Sequence, residues 1–220
     1  MMNDESIKVF DQLADRYDQW FDRHVAVFES EVLALKKIIP AQGRGLEVGT
    51  GSGRFAAALG IREGVEPSAK LASLAGNRGV QVHPGVAESL PFPDDQFDYL
   101  LFGTVLCYLD DPLKALSEAV RVLKPTGLLL IAMLDKGSFL VKEYENKKPV
   151  NPFYRHAHFY TVNEMLILIH ALHFREESIY QTIFSPLENI TTPQAVRSGY
   201  GEGGFVVISA RLHLADYREP

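Results

Sequence analysis

Apolar residues recur at helical spacing along the first forty positions. Ile7, Phe10, Leu13, Tyr17 and the pair Trp20/Phe21 form one stripe and predict a helix over 5–24. Phe28, Val32, Leu35 and Ile39 predict a second helix, closed by Pro40. The pattern then changes to short, continuous apolar runs between glycine, proline and polar clusters. "GLEVG" reads as a buried strand followed by the helix "RFAAAL". "GVEPS" ends a second strand at Glu66, and Ser68 can cap the helix "AKLASLAG". Val80–His83 is a third strand, and Phe97–Phe102 is a fourth with too many consecutive apolar residues to be half exposed. Asp111 and Pro112 suit the cap and first position of a helix whose face is Leu113, Leu116, Val120 and Leu123. "KPTG" reads as a turn before a fifth strand, "LLLIAML", and an irregular polar and aromatic stretch runs on to Tyr160. Thr161 and Glu164 have capping-box spacing at the head of a further helix. Two more strands are expected near 178–184 and 204–210.

Strands alternating with helices imply βαβ units and a mostly parallel sheet covered on both faces. Ligands in such sheets sit beyond the carboxyl ends of the strands. That rule puts the loops after Val48, Val65, His83, Leu101 and Leu134 around a site.

Composition narrows the picture little. The 220 residues suit one sizeable core. No apolar run approaches the ~20 residues of a membrane helix. The polar, acidic "MMNDESIKVF" is unlike a signal peptide. A single cysteine, Cys107, gives neither an internal disulfide nor a multi-cysteine metal site, so a reducing cytoplasm is the expected compartment. The formal net charge of −6 disfavours a nucleic-acid partner. One local excess of cations, Lys136, Lys142, Lys147, Lys148 and Arg155 against Glu143 and Glu145, reads either as a solvated loop or as a lid. No acidic trio suggests a metal.

The chemistry concentrates in "GRGLEVGTGSGRFAAALG", from Gly43 to Gly60. A dinucleotide fingerprint would need a small residue where Arg54 stands, because helix and strand pack closely there. No Gly-Lys-Ser/Thr follows, so a Walker loop is absent as well. The turn with its flanking strand, "LEVGTGSG", resembles the first motif of class I S-adenosylmethionine-dependent methyltransferases. "GVEPS", "GVAESLPFPDDQFDYLL" and "FGTVLCYLDDPLKALSEAVRVLKPTGLLLIAM" resemble that family's later motifs, in order, so the likeness spans roughly residues 40–135. The form is most similar to the small-molecule enzymes of the ubiquinone/menaquinone-biosynthesis type.

The resemblance implies a three-layer α/β/α Rossmann-like sheet of about seven strands, with the last strand antiparallel. It implies a single methyltransferase domain over 1–220. Cap helices would occupy 1–40, a cofactor-binding half 41–135, and an acceptor-side half 136–220 with a lid over 136–160. The cofactor would be S-adenosylmethionine, leaving as S-adenosylhomocysteine. The implied cofactor contacts are Tyr17, Glu47, Gly49, Thr50, Gly51, Gly53, Glu66, Pro67, Ala87, Glu88, Phe102 and Gly103. Their chemistry suits such a ligand. Glycines permit close backbone approach, Glu66 offers a carboxylate to the ribose diol, and Glu47 can meet the ammonium directly or through water. The segment from Gly53 to Glu66 is short, which leaves the first crossover helix little more than two turns.

Methyl transfer asks mainly for position and desolvation, and an acidic acceptor also asks for a base. Acceptor-side candidates are Trp20, Cys107, Tyr108, Tyr144, His156 and His158, with His24 a further base candidate. No residue is singled out as the base. "NPFY" at 151–154 is like an amide methyltransferase signature but falls after the wrong strand, so Pro152 is read as shaping a loop. The expected partner is a small-molecule acceptor; monomer and homodimer both fit. Two rivals remain at this level: a nicotinamide oxidoreductase, and a sensor that binds the cofactor without turnover.

Overall fold

In the computed structural model, which describes residues 4–213, the apolar runs become strands of one sheet. They are β1 (Gly45–Val48), β2 (Glu63–Val65), β3 (Gln81–His83), β4 (Phe97–Gly103), β5 (Leu123–Leu134), β6 (Phe174–Thr182), β7 (Arg197–Ser198) and β8 (Phe205–Leu212). The order across the sheet is β3-β2-β1-β4-β5-β8-β6-β7. The pairs from β3 through to β5 are parallel; β8 enters antiparallel between β5 and β6, and β7 adds an antiparallel edge. The sheet is thus Rossmann-like, as expected, with an eighth strand of two residues at its edge.

Both faces are buried, and alternation along the strands divides the core. Leu100, Phe102, Leu129 and Ile131 pack on one side, and Tyr99, Leu101, Leu128 and Leu130 on the other.

The helices are α1 (Asp4–Gln12), α2 (Ala14–Arg23), α3 (Val25–Leu35), α4 (Arg54–Leu59), α5 (Ala69–Asn77), α6 (Pro112–Val122), α7 (Phe139–Lys147) and α8 (Val162–Ala171). Caps read from the sequence hold. Ser68 Oγ accepts from Leu71 N, Asp111 from Lys114 N, and Thr161 and Glu164 form a reciprocal capping box. Helix α4 has six residues and ends at Gly60, whose φ of +74° closes it.

Three local expectations change. The helix expected over 5–24 breaks at Leu13 (φ −110°, ψ 23°) into α1 and α2. "KPTG" keeps its turn but lies within β5 rather than before it: register against β4 jumps from Phe97↔Leu123 to Tyr99↔Leu128, and the unpaired residues between loop out as a bulge so tight that a Cβ on Gly127 would fall 2.9 Å from the Lys124 carbonyl oxygen. The stretch expected to be irregular up to Tyr160 contains α7, whose Leu140, Val141 and Tyr144 are buried.

Among the described residues, no helix is long and apolar enough to cross a membrane, and no group of three metal-ligating side chains gathers.

Candidate active site

The turn after β1 takes positive φ at three glycines, Gly49 (+68°), Gly51 (+55°) and Gly53 (+78°). Two of them are also closed to any side chain. A Cβ on Gly49 would fall 2.4 Å from Val105 Cγ2, and one on Gly53 would fall 2.9 Å from the Ala75 backbone. Gly51 is different, because its nearest neighbour would be Tyr17 at an ordinary 3.5 Å.

Two buried carboxylates knit the turn to the sheet. Glu47 Oε2 accepts from Thr50 Oγ1 at 2.7 Å and from Ala56 N at 3.1 Å. Its other oxygen lies beneath Gly103, where a Cβ would come within 2.7 Å. Glu66, at the carboxyl end of β2, accepts from Gly51 N on one oxygen and Ser68 N on the other, each at 2.9 Å. Burial pushes the Glu47 carboxyl up to about 8 and that of Glu66 up to about 7, against these hydrogen bonds.

Helices α1 and α2 are tied over the strand ends by charge. Asp11 accepts from Ser68 Oγ and Lys70 N at the start of α5. Asp18 accepts two hydrogen bonds from Arg54 and one from Arg78, whose Nη1 also reaches the Ser52 carbonyl oxygen. Burial resists ionisation of Asp18, yet these partners, led by Arg54, hold its carboxyl well below the usual range. Arg54, which the sequence reading uses only to exclude a dinucleotide, is therefore the post on which α2 is fastened. Asp22, one helical turn from Asp18, is bonded to Arg54 as well.

Two cavities open at this end of the sheet. The smaller, about 40 Å³, is lined by Phe10, Tyr17, Gly49, Gly51, Glu66, Leu71, Gly103, Thr104, Val105 and Tyr108. The larger, about 370 Å³, is walled by aromatic side chains, among them Tyr17, Trp20, Tyr108, Tyr144, Phe153 and Tyr154. Tyr17, Thr104 and Tyr108 line both cavities. Thr104 holds a φ of +58° there, a conformation unusual for a residue with a side chain.

The structure brings together Tyr17, Gly49, Gly51, Glu66 and Gly103 at the small cavity, and Trp20, Cys107, Tyr108 and Tyr144 at the large one. Thr50 and Gly53 support the turn from behind, and Pro67 spaces Glu66 from the Ser68 cap. Ala87 and Glu88 are buried in the turn bridged by Val86 and Ser89, away from the lining of either cavity. Phe102 lies outside the lining of both cavities. It is fully buried in the core, because alternation along β4 turns it into the sheet's packing; Gly103 and Thr104 line the cavity instead.

His156 and His158 also lie outside both linings. Ala157 and Phe159 take the buried positions of that segment, which leaves both histidines exposed. His156 faces Glu5 at 3.5 Å, and the His158 ring packs on Tyr160. His24 does line the large cavity. Its Nδ1 lies 2.9 Å from the Trp20 carbonyl oxygen, which can only accept, so the neutral ring is protonated there and keeps Nε2 as an acceptor. Cys107 faces the cavity, but burial pushes its thiol up to about 12. The expected loop, "NPFY", proves to be part of the wall. Asn151 Oδ1 turns the chain by accepting from Phe153 N, and Tyr154 stacks on Tyr144 with centroids 4.4 Å apart.

The sequence reading also passed over Glu31. It lines the large cavity at 6% exposure, and burial pushes its carboxyl up to about 8. Val27, Ala34, Leu35 and Ile38 are the buried stripe on which it falls. A carboxylate inside an apolar helical stripe was the available signal.

Comparison with known proteins agrees with this geometry. Residues 46–131 match the methyltransferase domain family. An uncharacterised protein of Methanocaldococcus jannaschii is 44% identical over 204 residues, covering 93% of this chain and 98% of its own. The crystal structure of a Thermotoga maritima SAM-dependent methyltransferase, described as a possible histamine N-methyltransferase, superposes with a TM-score of 0.90 at 42% identity, over 93% of this chain and 98% of that one. Demethylmenaquinone methyltransferase of Staphylococcus aureus is 23% identical over 93% of this chain and 86% of its own. The chain belongs to the class I S-adenosylmethionine-dependent methyltransferases, and S-adenosylmethionine is its cofactor.

Proposed function

We propose that this chain transfers the methyl group of S-adenosylmethionine to a small molecule held in the 370 Å³ cavity. The observation that carries the reading is the shared wall: Tyr17, Thr104 and Tyr108 border both the glycine turn with Glu66 and the aromatic cavity.

The residues present suit the cofactor. Glu66 spends one acceptor site of each oxygen on a backbone N–H, and a carboxylate offers about four sites in all. Two remain for ribose hydroxyls. Gly49 and Gly51 let the backbone approach the ligand closely. Glu47, fastened to Thr50 and Ala56, holds the turn in shape and puts a negative or polarisable group behind Gly103 for the methionine end. The small cavity is far below the size of an adenosine. Cofactor entry therefore requires the side chains of Phe10, Tyr17 and Tyr108 to yield.

When bound, the cofactor supplies an activated methyl on a sulfonium. The chain's own contribution is alignment and exclusion of water by the aromatic wall. Where the acceptor must lose a proton, His24 and the buried Glu31 are the basic side chains that line the cavity away from the surface.

The test is product release. Amines, phenols, quinone precursors and carboxylates are each incubated with enzyme and S-adenosylmethionine, and S-adenosylhomocysteine is measured. Turnover with one class is expected. Silence across the panel, with cofactor binding intact, would favour a sensor over a transferase.

A further inference from the structure

We infer that the acceptor carries a positive charge and that Glu31 of α3 is the side chain that selects it. The inference rests on the preceding reading of the 370 Å³ cavity as the acceptor site.

Three carboxylates line this cavity, and they differ in kind. Glu188 is exposed, and Glu143 lies beside Lys147 near the surface. Glu31 is 6% exposed. Burial is the sole cause of its raised pKa, and among the described residues no arginine, lysine or hydrogen-bond donor offsets that burial. A carboxylate held in this way costs stability, and it is a group that a cation would satisfy. The cationic side chains that line the cavity, Arg16, Arg23 and Lys147, are all exposed.

The rest of the wall points the same way. Tyr17, Trp20, Tyr108, Tyr144, Phe153 and Tyr154 present an aromatic enclosure, the surface that attracts ammonium groups most strongly when water is excluded. Tyr17, Tyr144 and Glu31 line the same cavity, so carboxylate and aromatic wall act on one space. Glu31 also sits on an anchored helix. Its neighbour Ser30 donates to the Ala26 carbonyl oxygen at 2.6 Å and accepts from Gln194 N at 2.8 Å, locking α3 to the loop before β7. A buried acid in an aromatic box recognises a primary, secondary or quaternary ammonium. The inference concerns the charge recognised, not the atom that receives the methyl.

The experiment uses the full chain saturated with S-adenosylhomocysteine. Benzylamine, phenethylamine and phenylpropylamine are titrated calorimetrically against the matching alcohols, in the wild type and in Glu31→Gln. At least one amine is expected to bind roughly 30-fold tighter than its alcohol, as for a buried charge pair, and Glu31→Gln is expected to bring that ratio within about threefold. Affinity for S-adenosylhomocysteine should not change. Alcohols binding as well as amines, no amine binding at all, or an undiminished preference in Glu31→Gln would each overturn the inference. So would a Glu31→Gln chain that loses S-adenosylmethionine but keeps S-adenosylhomocysteine, because the charge recognised would then be the sulfonium. Failure of the wild type to bind S-adenosylhomocysteine is a separate result that strikes the methyltransferase reading itself.

Discussion

Arg54 holds Asp18 by two parallel hydrogen bonds, Nε to Oδ1 at 2.9 Å and Nη2 to Oδ2 at 2.8 Å. The pair joins the first residue after the glycine turn to the middle of the helix above it. Cap and cofactor loop are therefore one mechanical unit. The side chains are only 19% and 14% exposed, so the pair is worth more than a surface ion pair. Arg54→Ala should lower stability by about 1–3 kcal/mol, between the surface and buried cases, and weaken S-adenosylhomocysteine binding by freeing α2. Urea denaturation and a binding titration check both. Unchanged affinity would detach the cap from cofactor binding.

The three glycines of the turn should respond unequally to alanine. Gly53→Ala puts a methyl 2.9 Å from the Ala75 backbone at a φ of +78°, with no flexible side chain to yield. Gly51→Ala meets only Tyr17, at 3.5 Å. The first should cost several kcal/mol of folding stability, the second about 1–2 kcal/mol from left-handed backbone strain. Equal losses in denaturation midpoint would contradict the packing described for Gly53.

Stability should fall toward alkaline pH. Glu31, Glu47 and Glu66 are buried, and their folded-state pKa values rise from an ordinary 4.5 to about 8, 8 and 7. A raised acid contributes its full stability below its unfolded pKa and loses it as pH climbs through the folded value. The loss therefore spans the range from about pH 4.5 to pH 8. Asp18, held low by Arg54 and Arg78 against its burial, acts in the opposite sense and loses its contribution on acidification. A maximum at about pH 4, with a falling alkaline limb, is expected in denaturation measured across pH. Glu31→Gln should flatten that limb, and a limb of unchanged slope would mean that Glu31 ionises freely in the folded chain.

Cys107 should be inert. With its thiol pushed up to about 12 by burial, the thiolate at pH 8 is scarce, and alkylation by iodoacetamide should run about a thousandfold slower than for a free cysteine. Rapid labelling of the native chain would restore it as a nucleophile.

What the sequence made legible was local. Glu66, Ser68 and the glycine turn lie within one strand–turn–helix unit, so spacing alone brought them together. The same holds for the caps at Asp111 and Thr161. What it hid depended on distant contacts. Arg54 finds Asp18 36 positions upstream, and no periodicity announces that bond. "KPTG" reads as the turn before a strand, and only the pairing of Leu123 with Phe97 on distant β4 makes it a bulge within one. His156 and His158 looked chemical, but Ala157 and Phe159 claim the interior. Glu31 was overlooked because a helical stripe was read for its apolar members, and its one acidic member faces the cavity.

Glu66 and the turn from Gly49 to Gly53 are proposed to hold S-adenosylmethionine. The most direct test is a calorimetric titration of the wild type and of Glu66→Ala with S-adenosylhomocysteine, with NADH as the control ligand. The account predicts one S-adenosylhomocysteine per chain, no binding of NADH, and at least tenfold weaker binding in Glu66→Ala with its circular dichroism unchanged, the loss of charged hydrogen bonds to the ribose being worth about 1.5–3 kcal/mol. Binding of NADH without S-adenosylhomocysteine, or equal affinity in the two chains, would contradict it.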